Sequence, residues 1–158
     1  MEEYKMTLSK KIIIPALEKA VRRTFENTLF IDFDNASEVA KPSFNTYDQL
    51  TYIKIKTPFV GRLYITIGYD QAFSILKSIY DEQDNVLLMM VDEIMAEICN
   101  IVTGCFMAEV VPNDTEFSFS LPVCTKISVE KDINKINRNT VILQFEYNEK
   151  PVYCMFKN

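Results

Sequence analysis

Two polar side chains, Glu97 and Asn100, have the types and spacing to do chemistry together. On a helix, residues three positions apart are about 60° apart around the axis, so the two side chains would lie side by side. Both would point outward, because the apolar residues of the same helix lie on nearly the opposite side. A carboxamide offers both an N–H donor and a C=O acceptor, so it can hold a water molecule in a fixed orientation without acting as a base. Loose phosphoryl transfer needs mainly such positioning, and a neighbouring carboxylate can anchor a cation on a partner.

The element that must position this pair is a helix predicted from about Val86 to Glu109, which Pro112–Asp114 ends. Its apolar residues recur at i, i+3, i+4 and i+7, and this pattern predicts a buried stripe on the opposite side from the pair. The stripe contains Leu87, Leu88, Val91, Ile94, Met95, Ile98, Ile101, Val102 and Cys105.

Glu93, Ala96 and Gly104 flank the pair on the same predicted face. Glycine in a helix interior costs roughly 1 kcal/mol against alanine, and asparagine is also a weak helix former, so stability alone does not explain these choices. Small residues beside a protruding Glu and Asn would let another protein approach closely. The alternative, which the spacing alone favours, is an ordinary solvated face with Gly104 packed against a neighbouring loop.

Composition excludes several classes of function. The 158 residues are 48% apolar, enough to bury one core, and we predict a single domain over residues 1–158. The formal net charge of −5 gives no field that would attract phosphate backbones or anionic lipid, so we predict no nucleic-acid and no membrane partner. The N-terminal segment lacks the pattern of a secretory signal peptide. The longest apolar run, Val86–Val91, is far shorter than the roughly 20 residues of a membrane-spanning helix. We therefore predict a cytoplasmic protein.

The sequence contains no histidine, which removes histidine-assisted Ser and Cys nucleophiles and the commonest zinc ligand. Cys99, Cys105, Cys124 and Cys154 lack CxxC spacing and lie in apolar runs, so they are predicted to be buried, reduced thiols. With only three glycines, a glycine-rich phosphate loop cannot be built. We predict no metal site and no cofactor in this chain.

The order of predicted elements indicates an α+β fold, a mainly antiparallel sheet with two long helices packed on one face. One strand has Leu63, Ile65 and Ile67 on a core side and Arg62, Tyr64 and Thr66 on a partly wet side. The first half of the chain is predicted to contain a helix over about 12–28 with Pro15 near its first turn, a short strand plus loop over 31–47, and strands over 50–56 and 61–68. A helix capped by Asp70 and then the long helix follow. The last part is predicted to contain strands over 116–122 and 125–129, a charged loop over 130–139, and a hairpin of 140–147 and 151–156.

The segment Glu97-Ile-Cys-Asn100-Ile-Val-Thr-Gly104 resembles the E-x-x-N helix of the CheC/CheX/FliY chemotaxis phosphatases. Residues 59–67 followed by Tyr69-Asp-Gln-Ala are similar to the strand and helix that precede it in this family. Residues 117–122 are similar to the strand, ending in proline, that follows it. The opening helix with Thr24-Phe-Glu-Asn-Thr-Leu29 is similar to that of the CheX branch. The resemblance therefore covers nearly the whole chain, although only the E-x-x-N motif is specific to this family.

The resemblance implies a phosphatase that dephosphorylates a CheY-like response regulator. Asn100 would enter the partner's site and orient the attacking water at its aspartyl phosphate, and Glu97 would contact the partner's lysine. Mg²⁺ would belong to the partner, so this chain itself would need no cofactor. The resemblance to CheX also implies a homodimer with sheet contacts between subunits.

The first helix has no second carboxamide site, because Val21 follows Glu18 and Leu29 follows Glu26 at the same spacing, and this favours the CheX branch. Glu93 departs from the Asp or Ser that the family usually has four residues before the motif glutamate. Two other functions stay open: a non-catalytic module of the same fold that binds a receiver domain, and a small-molecule-binding α+β domain with Tyr and Phe lining its pocket.

Overall fold

The structure, a computed structural model, describes residues 6–45, 48–131, 133 and 139–158. Helices and strands follow in the predicted order, and each predicted element exists. The helices are α1 (Lys10–Leu29), α2 (Tyr69–Ile79) and α3 (Asp84–Val110), and the strands are β1 (Ala36–Glu38), β2 (Gln49–Thr57), β3 (Gly61–Ile67), β4 (Ser118–Phe119), β5 (Val123–Lys126), β6 (Thr140–Tyr147) and β7 (Lys150–Lys157).

The seven described strands form one sheet in the order β1-β6-β7-β3-β2-β4, and β5 pairs with the first half of β2 while β4 pairs with its end. Every strand pairing in the described part of the chain is antiparallel. Alternation of β-branched and aromatic residues explains the long central strands, since such side chains pack well on a pleated, half-buried surface. The predicted α+β class with an antiparallel sheet is confirmed.

The helices pack on one face of this sheet and share a single large core with it. α1 and α3 run antiparallel, because Leu29 lies beside Val91 and Met95 while Lys19 reaches Glu109. The prediction that the helices cover one face is therefore confirmed. Within the described ranges, no helix combines the length and the apolar character that a membrane span requires.

The other face of the sheet is also covered, which contradicts the prediction of a partly wet side. Tyr64 and Thr66 are buried and Arg62 is half-buried. A second apolar cluster covers this face, and loop residues after β5 supply part of it. The cluster contains Leu50, Tyr64, Ile127, Ile133, Ile142, Tyr153 and Met155. Strand alternation marked the two faces correctly but could not reveal that connecting segments fold over the second one.

Two details near helix starts differ from prediction. α1 begins at Lys10, so Pro15 lies in its second turn rather than its first. α2 begins at Tyr69, with Gly68 at the N-cap position, so Asp70 lies inside the first turn and is not the cap. A carboxylate in that turn still interacts favourably with the positive end of the helix dipole.

β6 and β7 form the predicted hairpin, but Lys150 pairs with Tyr147, so the turn consists of Asn148 and Glu149 alone, with φ of 51° and 62°. Two successive positive φ values are typical of a type I′ turn, whose twist matches that of the strands. The strand predicted over 116–122 is reduced to the two residues of β4. Residues 1–5, 46–47 and most of the predicted 130–139 loop lie outside the described residues.

Candidate functional site

The inner side of α3 holds the candidate site in place. Most of the predicted stripe is buried in the main core, while Ile94, Ile101 and Cys105 are half-buried at its border. Leu88 is 45% exposed, so its assignment to the stripe was wrong. The helix turns Leu88 away from the stripe toward a neighbouring cleft. With the rest of the stripe fixed by packing, the outer side of α3 has a defined orientation.

Glu97 and Asn100 lie on that outer side, and both are exposed. Neither side chain makes a hydrogen bond or an ion pair with any other residue in the described part of the chain. The two tips therefore reach solvent next to one another, as the helical spacing predicts. A rigid helix presents a donor, an acceptor and a carboxylate that nothing in this part of the molecule uses.

The flanking residues leave open space beside the pair. Glu93 is exposed and, like Glu97, has no partner among the described residues. Ala96 and Gly104 are half-buried, and a Cβ built on Gly104 meets no atom of the described residues within 4 Å. The alternative in which Gly104 packs against a neighbouring loop is therefore wrong. The absence of a side chain at this position lowers the surface without serving any contact within the described chain.

Polar contacts fix α3 from the side of the sheet. The Gln49 side-chain amide donates a hydrogen bond of 2.7 Å to the Asp92 carboxylate, and the Cys124 thiol donates one of 3.3 Å to the Asp92 carbonyl. The Tyr69 hydroxyl donates to the Leu88 carbonyl at 3.1 Å. Asp92 lies about one and a half turns before Glu97 and just over two turns before Asn100, so these contacts steady the part of the helix that leads into the pair.

Sequence reasoning did not identify Gln49 and Asp92 as positioning residues. They are 43 positions apart and meet only because β2 lies against α3. Gln49 is 2% exposed, and a buried amide must find partners. A glutamine at the start of an apolar strand was the available signal, but it does not say which residue the amide would contact.

Burial makes Cys99 and Cys154 unsuitable as nucleophiles for the site. Cys99 and Cys154 are buried, and burial raises the pKa of both thiols well above the usual value of 9.0. Burial also raises the pKa of Cys124, although Cys124 and Cys105 are only half-buried, so the prediction of burial is correct for two of the four. All four are free thiols. Thiols held in the protonated form are poor nucleophiles.

A cleft of about 1140 Å³ lies on the flank of α3, between the start of α2 and the ends of β2 and β7. Its lining includes Tyr69, Tyr153, Gln49 and Asp92. It is large enough for a small ligand, so its size does not remove the small-molecule alternative. The phenylalanines on which that alternative partly depended lie mainly in the core. In the described part of the chain, no group of three or more potential metal ligands occurs.

Comparison with solved structures assigns the fold. The chain is similar to a CheC-like superfamily protein from Shewanella sp. PV-4, with TM-score 0.72, 16% identity, and coverage of 94% of this chain and 97% of that one. It is equally similar to the Borrelia burgdorferi structure of a CheX-CheY-BeF3-Mg complex, with TM-score 0.72, 15% identity, and coverage of 91% and 95%. CheX from Vibrio vulnificus gives TM-score 0.71 and 16% identity, covering 92% and 97%.

No protein-family model and no curated protein matches the sequence. The structural similarity spans nearly the full length of each chain, so the protein has the CheC/CheX-like fold, and the resemblance noted from the motif is confirmed at the level of fold.

Proposed function

We propose that this protein is a CheX-type phosphatase that dephosphorylates a CheY-like response regulator. The observation that carries the proposal is the pair of free tips, Glu97 and Asn100, exposed and without partners among the described residues on a helix that packing holds rigid. Polar side chains that stabilise nothing in their own molecule are available to a partner. The structural neighbour from Borrelia burgdorferi, a CheX bound to CheY with BeF3 and Mg, supports a receiver domain as that partner.

In this mechanism the Asn100 carboxamide enters the partner's phosphorylation site and orients a water molecule in line with the phosphorus. The water attacks, the bond between phosphorus and the aspartyl oxygen breaks, and the products are inorganic phosphate and the partner's free carboxylate. Orientation alone accounts for a large acceleration, because little proton abstraction is needed in a loose transition state. No residue of this chain has to act as a base.

Glu97 has the second role, an ion pair with the partner's lysine that aligns the helix on the site. The Mg²⁺ ion belongs to the partner, where it neutralises charge on the phosphoryl oxygens. Ala96 and Gly104 keep the surface low on either side of Asn100, so that the partner can close on the helix. Glu93 lies one turn before Glu97 and adds negative charge to the same contact face.

The test is the lifetime of a phosphorylated receiver domain, measured by phosphate release with a panel of receivers. The wild-type protein shortens the lifetime of its cognate receiver, and Asn100→Ala returns it to the spontaneous value, a loss of about a hundredfold or more in acceleration. Asn27→Ala is the matched control, because Asn27 is an exposed asparagine on α1. Equal acceleration by wild type and Asn100→Ala would remove Asn100 from the mechanism.

The second candidate function, a non-catalytic module that binds a receiver domain, uses the same face. The departure at Glu93 favours it, since a changed residue beside the motif alters how the helix meets its partner. The two functions separate in one experiment: a receiver that binds the protein with its phosphate lifetime unaltered selects the binding module.

We also propose that the protein is cytoplasmic, as its receiver partner requires, and that it forms a homodimer through sheet edges. β4 and β5 form one edge, where Leu121 and Val123 are 85% and 44% exposed. Exposed edges with apolar side chains otherwise invite unspecific pairing, so a second copy is a suitable cover. Sedimentation of the wild type and of Leu121→Lys tests this: a dimer that becomes a monomer in the variant supports the proposal.

A further inference from the structure

We propose that the docking surface for the receiver extends along α3 toward its N-terminus, and that Val86 and Met89 form an apolar anchor there. This inference depends on the proposed function, because it names further contacts made with the same partner. Met89 is 77% exposed and Val86 is 36% exposed, and neither belongs to the packed side of the helix. Residues three positions apart are neighbours on a helix surface, so Val86 and Met89 form one contiguous apolar patch, and a contiguous exposed patch, unlike a single exposed side chain, marks an interaction surface.

Helix geometry places this anchor on the side of Asn100. At about 100° per residue, Met89 lies about 20° from Asn100 around the axis, and Val86 about 40° from it. With a rise of 1.5 Å per residue, Met89 is about 16 Å from Asn100 along the axis and Val86 about 21 Å. A partner that admits the Asn100 tip while lying along the helix therefore covers Met89 as well.

The size of a specific contact requires such an extension. Standard protein interfaces bury about 800 Å² on each partner, and two polar side chains supply only a fraction of that. Toward the C-terminus, Glu109 is already paired with Lys19 at 2.6 Å, and Ala108 offers little area. Toward the N-terminus, Met89 and Val86 offer unused apolar area, so the contact extends in that direction.

The face also defines what the receiver must present. Between Met89 and Asn100 lies Glu93, a carboxylate without a partner among the described residues. The matching surface therefore has an apolar patch about 16 Å from its phosphorylated aspartate and a cationic side chain between the two. Methionine suits such an anchor, since its flexible thioether adapts to the shape of the surface it contacts.

The experiment measures binding rather than turnover, with receiver domains activated by beryllofluoride and Mg²⁺ and titrated with full-length protein. Met89→Gln keeps the length and the helix propensity of the side chain but removes its apolar end, and we expect it to raise Kd about tenfold or more. Met89→Leu keeps apolar area and stays within about twofold of the wild type. Ile12→Gln is the control, because Ile12 is an apolar residue, 48% exposed, on another helix.

Turnover at saturating receiver separates this role from that of Asn100, since Met89→Gln should keep the wild-type maximal rate while Asn100→Ala loses it. If the wild type binds a receiver and Met89→Gln binds equally well, the apolar anchor is wrong and the proposed function is untouched. If Met89→Gln changes only the oligomeric state, the residue belongs to a subunit contact, which also overturns the inference. If the wild type binds no receiver of the panel, the proposed function and the anchor fail together.

Discussion

The two sides of α3 use their polar groups in opposite ways. On the inner side, the Thr103 hydroxyl donates a hydrogen bond of 2.7 Å to the Cys99 carbonyl, and both residues are fully buried. On the outer side, Glu93, Glu97 and Asn100 have no partner among the described residues. The inner polar groups are explained by the fold of this chain, whereas the outer ones are not.

Exposure alone does not decide whether a charge is paired, because the neighbouring helix α1 carries charges of both kinds. Arg23 and Glu26 are exposed and, like Glu97, have no side-chain partner among the described residues, whereas other charges of α1 are paired. On α1, Lys19 contacts Glu109 at 2.6 Å, and Arg22 contacts Glu18 at 3.1 Å. Arg22 also donates a hydrogen bond of 2.7 Å to the Phe33 carbonyl. Free charges alone therefore do not set the outer side of α3 apart from α1. What sets it apart is the carboxamide of Asn100 three positions after Glu97, with the small residues Ala96 and Gly104 beside them.

The inner side should make the stability of the protein sensitive to alkaline pH. Burial raises the pKa of the Cys99 and Cys154 thiols above 9.0, so above about pH 9 the unfolded chain loses protons that the folded chain keeps. The stabilisation is complete below pH 9 and falls as pH rises, by about 1.4 kcal/mol per pH unit for each thiol. Urea unfolding at pH 8, 9 and 10 in reducing buffer measures this dependence.

The variant that tests this dependence is the double replacement Cys99→Ala with Cys154→Ala, which should reduce it between pH 9 and 10 to the smaller part that Cys124 contributes, even though it lowers stability overall. Cys105→Ala is the control, since Cys105 is a half-buried thiol on the same helix. A double variant with the wild-type dependence would show that these thiols do not control the alkaline limit.

On the outer side, Glu97→Gln should weaken receiver dephosphorylation by about tenfold in kcat/KM, because an amide cannot replace the charge that meets a cation. The free energy of unfolding should change by less than about 0.5 kcal/mol, since Glu97 has no partner in the described chain. Phosphate release and urea unfolding measure the two effects on one sample.

Glu109→Gln is the matched control for Glu97→Gln. It removes a carboxylate of the same helix whose partner, Lys19, lies in the same molecule. Because both side chains of that pair are largely exposed, its loss should cost at most about 1 kcal/mol and leave phosphate release unaltered. A Glu109 variant that lost as much activity as the Glu97 variant would contradict the contrast between paired and free carboxylates.

The sequence predicted most of this fold because its signals are local. Helical periodicity defined α3 to within two residues at its start and one at its end, and strand alternation defined the β2 and β3 pair. The exposure of Glu97 and Asn100 followed from the same periodicity. Their roles in catalysis stay predictions, since a backbone pattern says where a side chain points and not what it does.

What sequence could not supply depends on contacts between distant segments. The second cluster over the sheet joins Leu50, Ile127 and Tyr153, and the bond from Gln49 to Asp92 joins β2 to α3. Leu88 was assigned to the buried stripe because periodicity does not show how far around the helix the neighbouring elements pack. Met89 was overlooked for a related reason, since an apolar residue outside the stripe carries no local mark of function.

Replacing Gly104 should give the smallest of these effects, but it should change stability and activity in opposite directions. A Cβ at Gly104 meets no atom within 4 Å in the part of the chain that the structure describes, so Gly104→Ala should raise the free energy of unfolding by up to about 1 kcal/mol through helix propensity. The same methyl group would stand on the proposed docking surface for the receiver, so we expect receiver dephosphorylation to fall severalfold. Urea unfolding and phosphate release measure the two effects together.

Opposite signs in stability and activity would mean that a glycine unfavourable for the helix is present for the sake of a contact outside the chain. Ala108→Gly is the matched reverse change, because Ala108 is exposed on the same helix, one turn further along. It should lower stability by about 1 kcal/mol and leave activity unaltered, since the proposed contact extends the other way. If Gly104→Ala were both more stable and fully active, the lowered surface beside Asn100 would have no role in docking, and the contact would have to be made by the side chains alone.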